Sequence, residues 1–142
     1  MSIVQDLVEQ SGLPCLAADA VDAFLAAPPA HKILFFAGDP AQRMETADVA
    51  VIFPQLLRHF AGRLEGALIA AGSETELKER FHVGALPSLV VTRGAETLGV
   101  FPKVWDWAVY VARIEAMLAP GAPVLTQAPR VQFTYSGKGA RA

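Results

Sequence analysis

Blocks of apolar residues separated by turn-forming residues mark out the elements of this chain. Lys32-Ile33-Leu34-Phe35-Phe36-Ala37 is a continuous apolar run after its first residue, as expected of a central strand covered on both faces. Gly66-Ala67-Leu68-Ile69-Ala70-Ala71 is a second such run. Between them, Val49, Ile52, Phe53, Leu56, Leu57 and Phe60 recur at helical spacing. That spacing predicts a helix from about Thr46 to Phe60, with Pro54 inside it as a kink. Ahead of the first strand, Ile3, Val4, Leu7 and Val8 predict a helix ended by Gly12 and Pro14, and Leu13 to Leu16 reads as a short edge strand. Asp19 is the expected N-cap of a helix carrying Val21, Phe24 and Leu25, which Pro28-Pro29 stops.

The second half is organised around Val83-Gly84-Ala85-Leu86-Pro87-Ser88-Leu89-Val90-Val91. A Pro followed by a β-branched run reads as a loop entering a buried strand, because a strand tolerates Pro at its first residue. Thr75 to Phe81 reads as a helix, capped by Ser73 with Glu76 and ended at Gly84. Arg93-Gly94-Ala95-Glu96 reads as a hairpin turn, and Thr97 to Phe101 as the returning strand. A last helix starts near Val104 and presents Val104, Trp107, Ala108, Val111, Ile114 and Leu118 on one face, until Pro120-Gly121 stops it. This order predicts an α/β sandwich with mixed strand directions. It resembles the thioredoxin fold, a three-layer sandwich with a central mixed sheet. The resemblance implies a cis Leu86–Pro87 peptide before a central strand, facing the site.

Composition narrows the possibilities. The 142 residues suit one domain with a sizeable core, and the net charge of −2 argues against a nucleic-acid binder. No apolar run is long enough for a membrane span, and Met1 to Asp6 lacks the bases of an export signal, so the expected compartment is the cytoplasm. From Pro120 onward the chain holds Arg130, Lys138 and Arg141 and no acid. The expected organisation is a domain over 1–119 and a mobile basic, Pro/Gly-rich tail over 120–142, in which Val131 to Tyr135 alternates like a strand. His31, His59 and His82 lie far apart with no ligand spacing, so neither a metal site nor a cofactor is expected.

A redox-active thioredoxin carries Cys-x-x-Cys at the start of the helix after its central strand, five residues before a Pro. Aligned on Pro54, that motif falls on Thr46-Ala47-Asp48-Val49, which holds no sulfur. Exchange needs an attacking thiolate and a resolving sulfur, and a threonine hydroxyl is a far weaker nucleophile. The only cysteine, Cys15, lies elsewhere and is expected to be a small buried hydrophobe. The scaffold therefore reads as a non-enzyme. The backbone of Leu86 beside Pro87 is left to pair with an extended peptide, with Thr46 opposite.

The chain is most similar to the hydrogenase expression/formation family of the HyaE/HupG type. Phe36-Ala37-Gly38-Asp39-Pro40, the Val83 to Val90 stretch and Trp105-Asp106-Trp107-Ala108 carry the similarity, which runs from about Ser2 to Leu118. It implies an assembly chaperone for a [NiFe] uptake hydrogenase. The client would be the small-subunit precursor with its twin-arginine signal peptide, and other hydrogenase maturation proteins are possible partners. Two guanidinium groups followed by an apolar stretch need carboxylates beside an apolar groove. Asp39, Glu45, Asp48 and Asp106 are the acids expected there, each of which reads equally as an ordinary surface acid or cap.

Trp107 is expected in the core. Trp105 cannot share its face and is left to a partner or to a covering loop. Two other classes remain open: a single-cysteine thiol enzyme using Cys15, and a structural docking or dimerisation module using the Val131 to Tyr135 segment.

Overall fold

A computed structural model describes residues 12–38 and 45–125. The predicted helix over Ile3 to Val8, the Asp39-Pro40 step and the Val131 to Tyr135 segment lie outside the described residues. Five strands, β1 (Cys15–Leu16), β2 (His31–Phe36), β3 (Glu65–Ile69), β4 (Ser88–Arg93) and β5 (Glu96–Pro102), form one sheet in the order β1-β3-β2-β4-β5. The first three neighbours in that order run parallel, whereas β4 is antiparallel to both β2 and β5. Four helices complete the described chain: α1 (Val21–Ala26), α2 (Glu45–His59), α3 (Glu74–Arg80) and α4 (Trp107–Leu118).

Alternation along β2 explains the layers. Ile33 and Phe35 face one side with Phe53 and Leu56 of α2 and Tyr110 and Ile114 of α4. Leu34 and Phe36 face the other side with Val21 and Leu25 of α1 and Leu77 of α3. All four β2 side chains are fully buried, which is why the strand reads as an unbroken apolar run. This is the thioredoxin-like three-layer arrangement, and the Leu86–Pro87 peptide is cis as expected. Pro28–Pro29 is cis as well. The buried Lys32 ammonium donates to the Ala27 and Pro29 carbonyls and lies over the Phe24 ring, holding that turn against the start of β2.

Several local expectations are corrected. Asp19 caps nothing: Ala18–Ala20 is a 3-10 turn leading into α1, and neither start has a side-chain cap. Ser73 precedes α3 but does not cap it, because its hydroxyl accepts from the Ala18 N–H at 2.9 Å, 55 residues away. α3 ends at Arg80, and the left-handed residue after it is His82 (φ 63°), not Gly84. His is among the few non-glycine residues enriched in that conformation. α4 starts at Trp107 rather than near Val104, and its buried residues are Tyr110 and Ile114. Trp107 is then 42% exposed, not core, while Trp105 packs edge-on against Phe101. Cys15 is exposed, since the two-residue edge strand leaves its side chain uncovered. Beyond α4 the described chain returns to the sheet, where the Leu125 N–H donates to the Thr97 carbonyl at 2.7 Å.

Candidate peptide-binding site

The end of the sheet where β2 stops and β4 begins gathers the described candidates. The β2–β4 register sets Phe36 opposite Ser88, so the chain after Phe36 lies beside the Leu86–Pro87 loop. Three hydrogen bonds fix this end. The buried Thr46 hydroxyl donates to the Ala37 carbonyl at 2.6 Å, joining the first turn of α2 to the end of β2. The Gly38 N–H donates to Glu74 Oε2 at 3.0 Å, joining the same strand end to α3. The Ser88 hydroxyl donates to the Ala85 carbonyl at 2.6 Å and closes the loop around the cis bond.

Pro87 and the loop after β5 are joined too. The Lys103 N–H donates to the Pro87 carbonyl at 2.8 Å. Trp105 is clamped beyond it: its indole N–H donates to the Pro102 carbonyl at 2.7 Å, and its backbone N–H donates to the Tyr110 hydroxyl at 3.2 Å. Arg113 covers its ring at 5.0 Å. Burial pushes the Tyr110 phenol up from its ordinary range, partly offset by the hydrogen bond from Trp105.

The strand end therefore brings together Thr46, Leu86, Pro87, Trp105 and Asp106. Glu45 and Asp48 share the first turn of α2 with Thr46; Glu45 is half-buried and Asp48 exposed. Asp106 is exposed at the start of α4, where its carbonyl but not its side chain receives helix N–H groups. Asp39 lies outside the described residues. Among the described residues, no hydrogen bond engages the backbone N–H or C=O of Leu86, whose side chain is half-buried.

Sequence reasoning missed Glu74, a buried carboxylate at this end. Its contact with Gly38 spans 36 residues, which no short pattern announces. It also missed an open groove of about 600 Å3 beside α3, lined by Glu76, Lys78, Glu79, His82, Val83 and Gly84 among others.

The described side chains at this end carry no thiol. Thr46 and Val49 occupy the positions of the reactive pair, and both are buried. Cys15 sits on β1, with β3 and β2 between it and β4, and burial raises its thiol pKa. A raised pKa lowers the thiolate fraction, the opposite of what a nucleophilic cysteine requires. Among the described residues there is no cluster of three His, Cys, Asp or Glu side chains that could hold a metal ion, and no helix long and apolar enough to cross a membrane.

The chain matches the family described as hydrogenase-1 expression protein HyaE over residues 3–110. It is 45% identical over 142 residues to the hydrogenase expression/formation protein HupG of Rhizobium leguminosarum bv. viciae, covering 96% of this chain and 95% of that one. It is 41% identical over 130 residues to the hydrogenase expression/formation protein HoxO of Azotobacter vinelandii, covering 87% and 86% of the two chains. The crystal structure of a putative hydrogenase expression/formation protein HupG from Rhodopseudomonas palustris CGA009 aligns with a TM-score of 0.55 at 43% identity, covering 74% of this chain and 94% of that chain.

Proposed function

The chain belongs to the hydrogenase expression/formation family of the HyaE/HupG type, and on that premise we propose that it is a redox-inactive assembly chaperone. Its client is the small-subunit precursor of a [NiFe] uptake hydrogenase, held in the cytoplasm through its twin-arginine signal segment until assembly is complete. Other maturation proteins are the further partners this reading allows.

The observation that carries the reading is the Leu86 backbone. Among the described residues nothing engages its N–H or C=O, beside a loop fixed by the Ser88–Ala85 and Lys103–Pro87 hydrogen bonds. A rigid, unpaired main-chain segment accepts an extended peptide as an added strand, with little ordering left to do on the protein side. Thr46 bounds the groove from α2, and Glu45, Asp48 and Asp106, with Asp39, supply carboxylates around it. The loss of sulfur at residues 46 and 49 supports a binding module that cannot turn its client into a mixed disulfide. The raised Cys15 pKa, three strands from this groove, disfavours the single-cysteine enzyme.

The test is capture of the precursor by the purified protein, with and without the signal segment. Binding that requires the segment supports the reading. Equal capture of both forms moves the contact elsewhere on the client, and no capture of either removes the client.

A further inference from the structure

We propose that the chain's own Val131 to Tyr135 segment docks on the open edge of β5 as an added strand and closes that side of the sheet. This pairing holds or fails independently of any client.

The strand order leaves β1 and β5 at the edges of the sheet. β1 is two residues long and β5 is seven. A long edge presents a row of unpaired main-chain groups to any strand that meets it. Which groups of β5 face outward follows from its pairing with β4. The Lys103 N–H donates to the Pro87 carbonyl, and the register sets Leu89 opposite Phe101 and Val91 opposite Gly99. Antiparallel pairs alternate between bonded and unbonded, so Phe101 and Gly99 turn their main-chain groups towards β4 and Val100 turns its own away. Among the described residues nothing engages the Val100 N–H or C=O. Both ends of this open stretch are closed. The Trp105 indole N–H takes the Pro102 carbonyl, and the Leu125 N–H takes the Thr97 carbonyl.

The chain is fastened beside this edge where the described residues stop. Arg93 donates to the Ala122 carbonyl at 3.1 Å, Val124 packs against the core, and the Leu125 N–H reaches Thr97 at 2.7 Å. Val131 follows six residues later, within about 22 Å of extended chain. The stretch from Thr97 to Pro102 is about 17 Å long. Val131 therefore reaches any part of it, and residues 126–130, with Pro129 among them, leave chain to spare for a turn. The opposite edge at β1 lies about 19 Å away across the sheet and offers only two residues.

The segment suits the place. Val131, Phe133, Thr134 and Tyr135 are strand-forming residues, and alternation sets Val131, Phe133 and Tyr135 on one face and Gln132 and Thr134 on the other. β5 is apolar on the side that α4 covers: Leu98 and Phe101 belong to the cluster there, with Val111 and Met117 partly buried against it. An apolar strand face laid along β5 completes that cover. The same segment from a second copy has the same chemistry, but the short tether gives the chain's own segment an effective concentration on the order of millimolar.

The experiment compares backbone amide hydrogen exchange in the full chain, in F133S/Y135S and in a chain ended after Leu125, each at a low and a high protein concentration. The Val100 amide is expected to exchange about tenfold more slowly in the full chain than in either variant, at both concentrations. The Gly99 and Phe101 amides face β4 and are expected to stay protected in all three proteins, which reports an intact sheet. Equal exchange at Val100 in the full chain and in F133S/Y135S overturns the docking of this segment. Protection at Val100 that grows with protein concentration, together with a dimer in sedimentation, assigns the edge to a second copy and overturns it as well.

Discussion

Thr46 and Ala37 are joined by a buried hydrogen bond of 2.6 Å, hydroxyl to carbonyl, where a redox-active relative would place its attacking sulfur. The hydroxyl is thereby committed to structure: it holds α2 to the end of β2. Thr46→Val keeps the volume and removes the donor, leaving a buried carbonyl short of a partner. Equilibrium unfolding in urea is expected to show a loss of about 1–3 kcal/mol. In a disulfide-reduction assay the wild-type protein is expected to show no turnover above buffer.

Tyr110 gives a pH dependence with a definite sign. Burial raises the folded-state pKa of its phenol, so the unfolded chain releases that proton first. Above about pH 10 the unfolded state therefore binds fewer protons, and stability falls as pH rises further. Below that window the contribution is fully present. Tyr110→Phe removes the alkaline loss and also leaves the Trp105 N–H without its acceptor, at a cost of about 1 kcal/mol near neutrality. Thermal unfolding of both proteins across alkaline pH checks the two effects together.

Two glycines separate hard from soft packing. A Cβ on Gly66 would stand 2.8 and 2.9 Å from the Leu57 methyls and 2.9 Å from the tip of the Phe53 ring, and Phe53 is fully buried. Gly66→Ala is expected to cost about 1–3 kcal/mol, because α2 must shift on the sheet. A Cβ on Gly99 would meet only the end of the Met117 side chain, which is unbranched and free to swing away. Gly99→Ala is expected to cost distinctly less than Gly66→Ala in the same denaturation measurement.

Cys15 is predicted to alkylate in the native protein, because it is exposed. Its rate should rise through a midpoint above the ordinary thiol range, since burial of part of the side chain raises its pKa. A midpoint below that range, measured by rate against pH, would return the single-cysteine enzyme to consideration.

What the sequence disclosed was set by local physics. The β2 and β4 strands were legible because both faces are covered, which leaves unbroken apolar runs at Ile33 to Ala37 and Leu89 to Val91. The cis bond before Pro87 was legible through the resemblance to a known fold. The errors came from contacts made across the chain. Ser73 carries a capping pattern with Glu76, yet its hydroxyl accepts from the Ala18 N–H. Trp107 was expected in the core and is exposed, whereas Trp105, left open between a partner and a covering contact, packs against Phe101. Trp107 keeps the helical phase of Ile114, but as the first residue of α4 it lies at the end of the element, where it stays 42% exposed. At this end of the sheet, the cis Leu86–Pro87 step and a helix beginning near Thr46 were readable in advance. The α3 groove was not, because Glu76 and Glu79 look like ordinary acids of a solvated helix until the turn at His82 folds a wall beside them.

The central claim is that an extended client segment pairs with the main chain at Leu86. It is tested most directly by titrating the isotope-labelled protein with the signal-segment peptide and following backbone amide resonances. The largest shift is expected at the Leu86 amide, with slowed hydrogen exchange there on binding, and smaller shifts at Gly84, Ser88 and Lys103. Saturable binding that leaves the Leu86 amide unmoved, with its shifts confined to surfaces away from the loop, would contradict it.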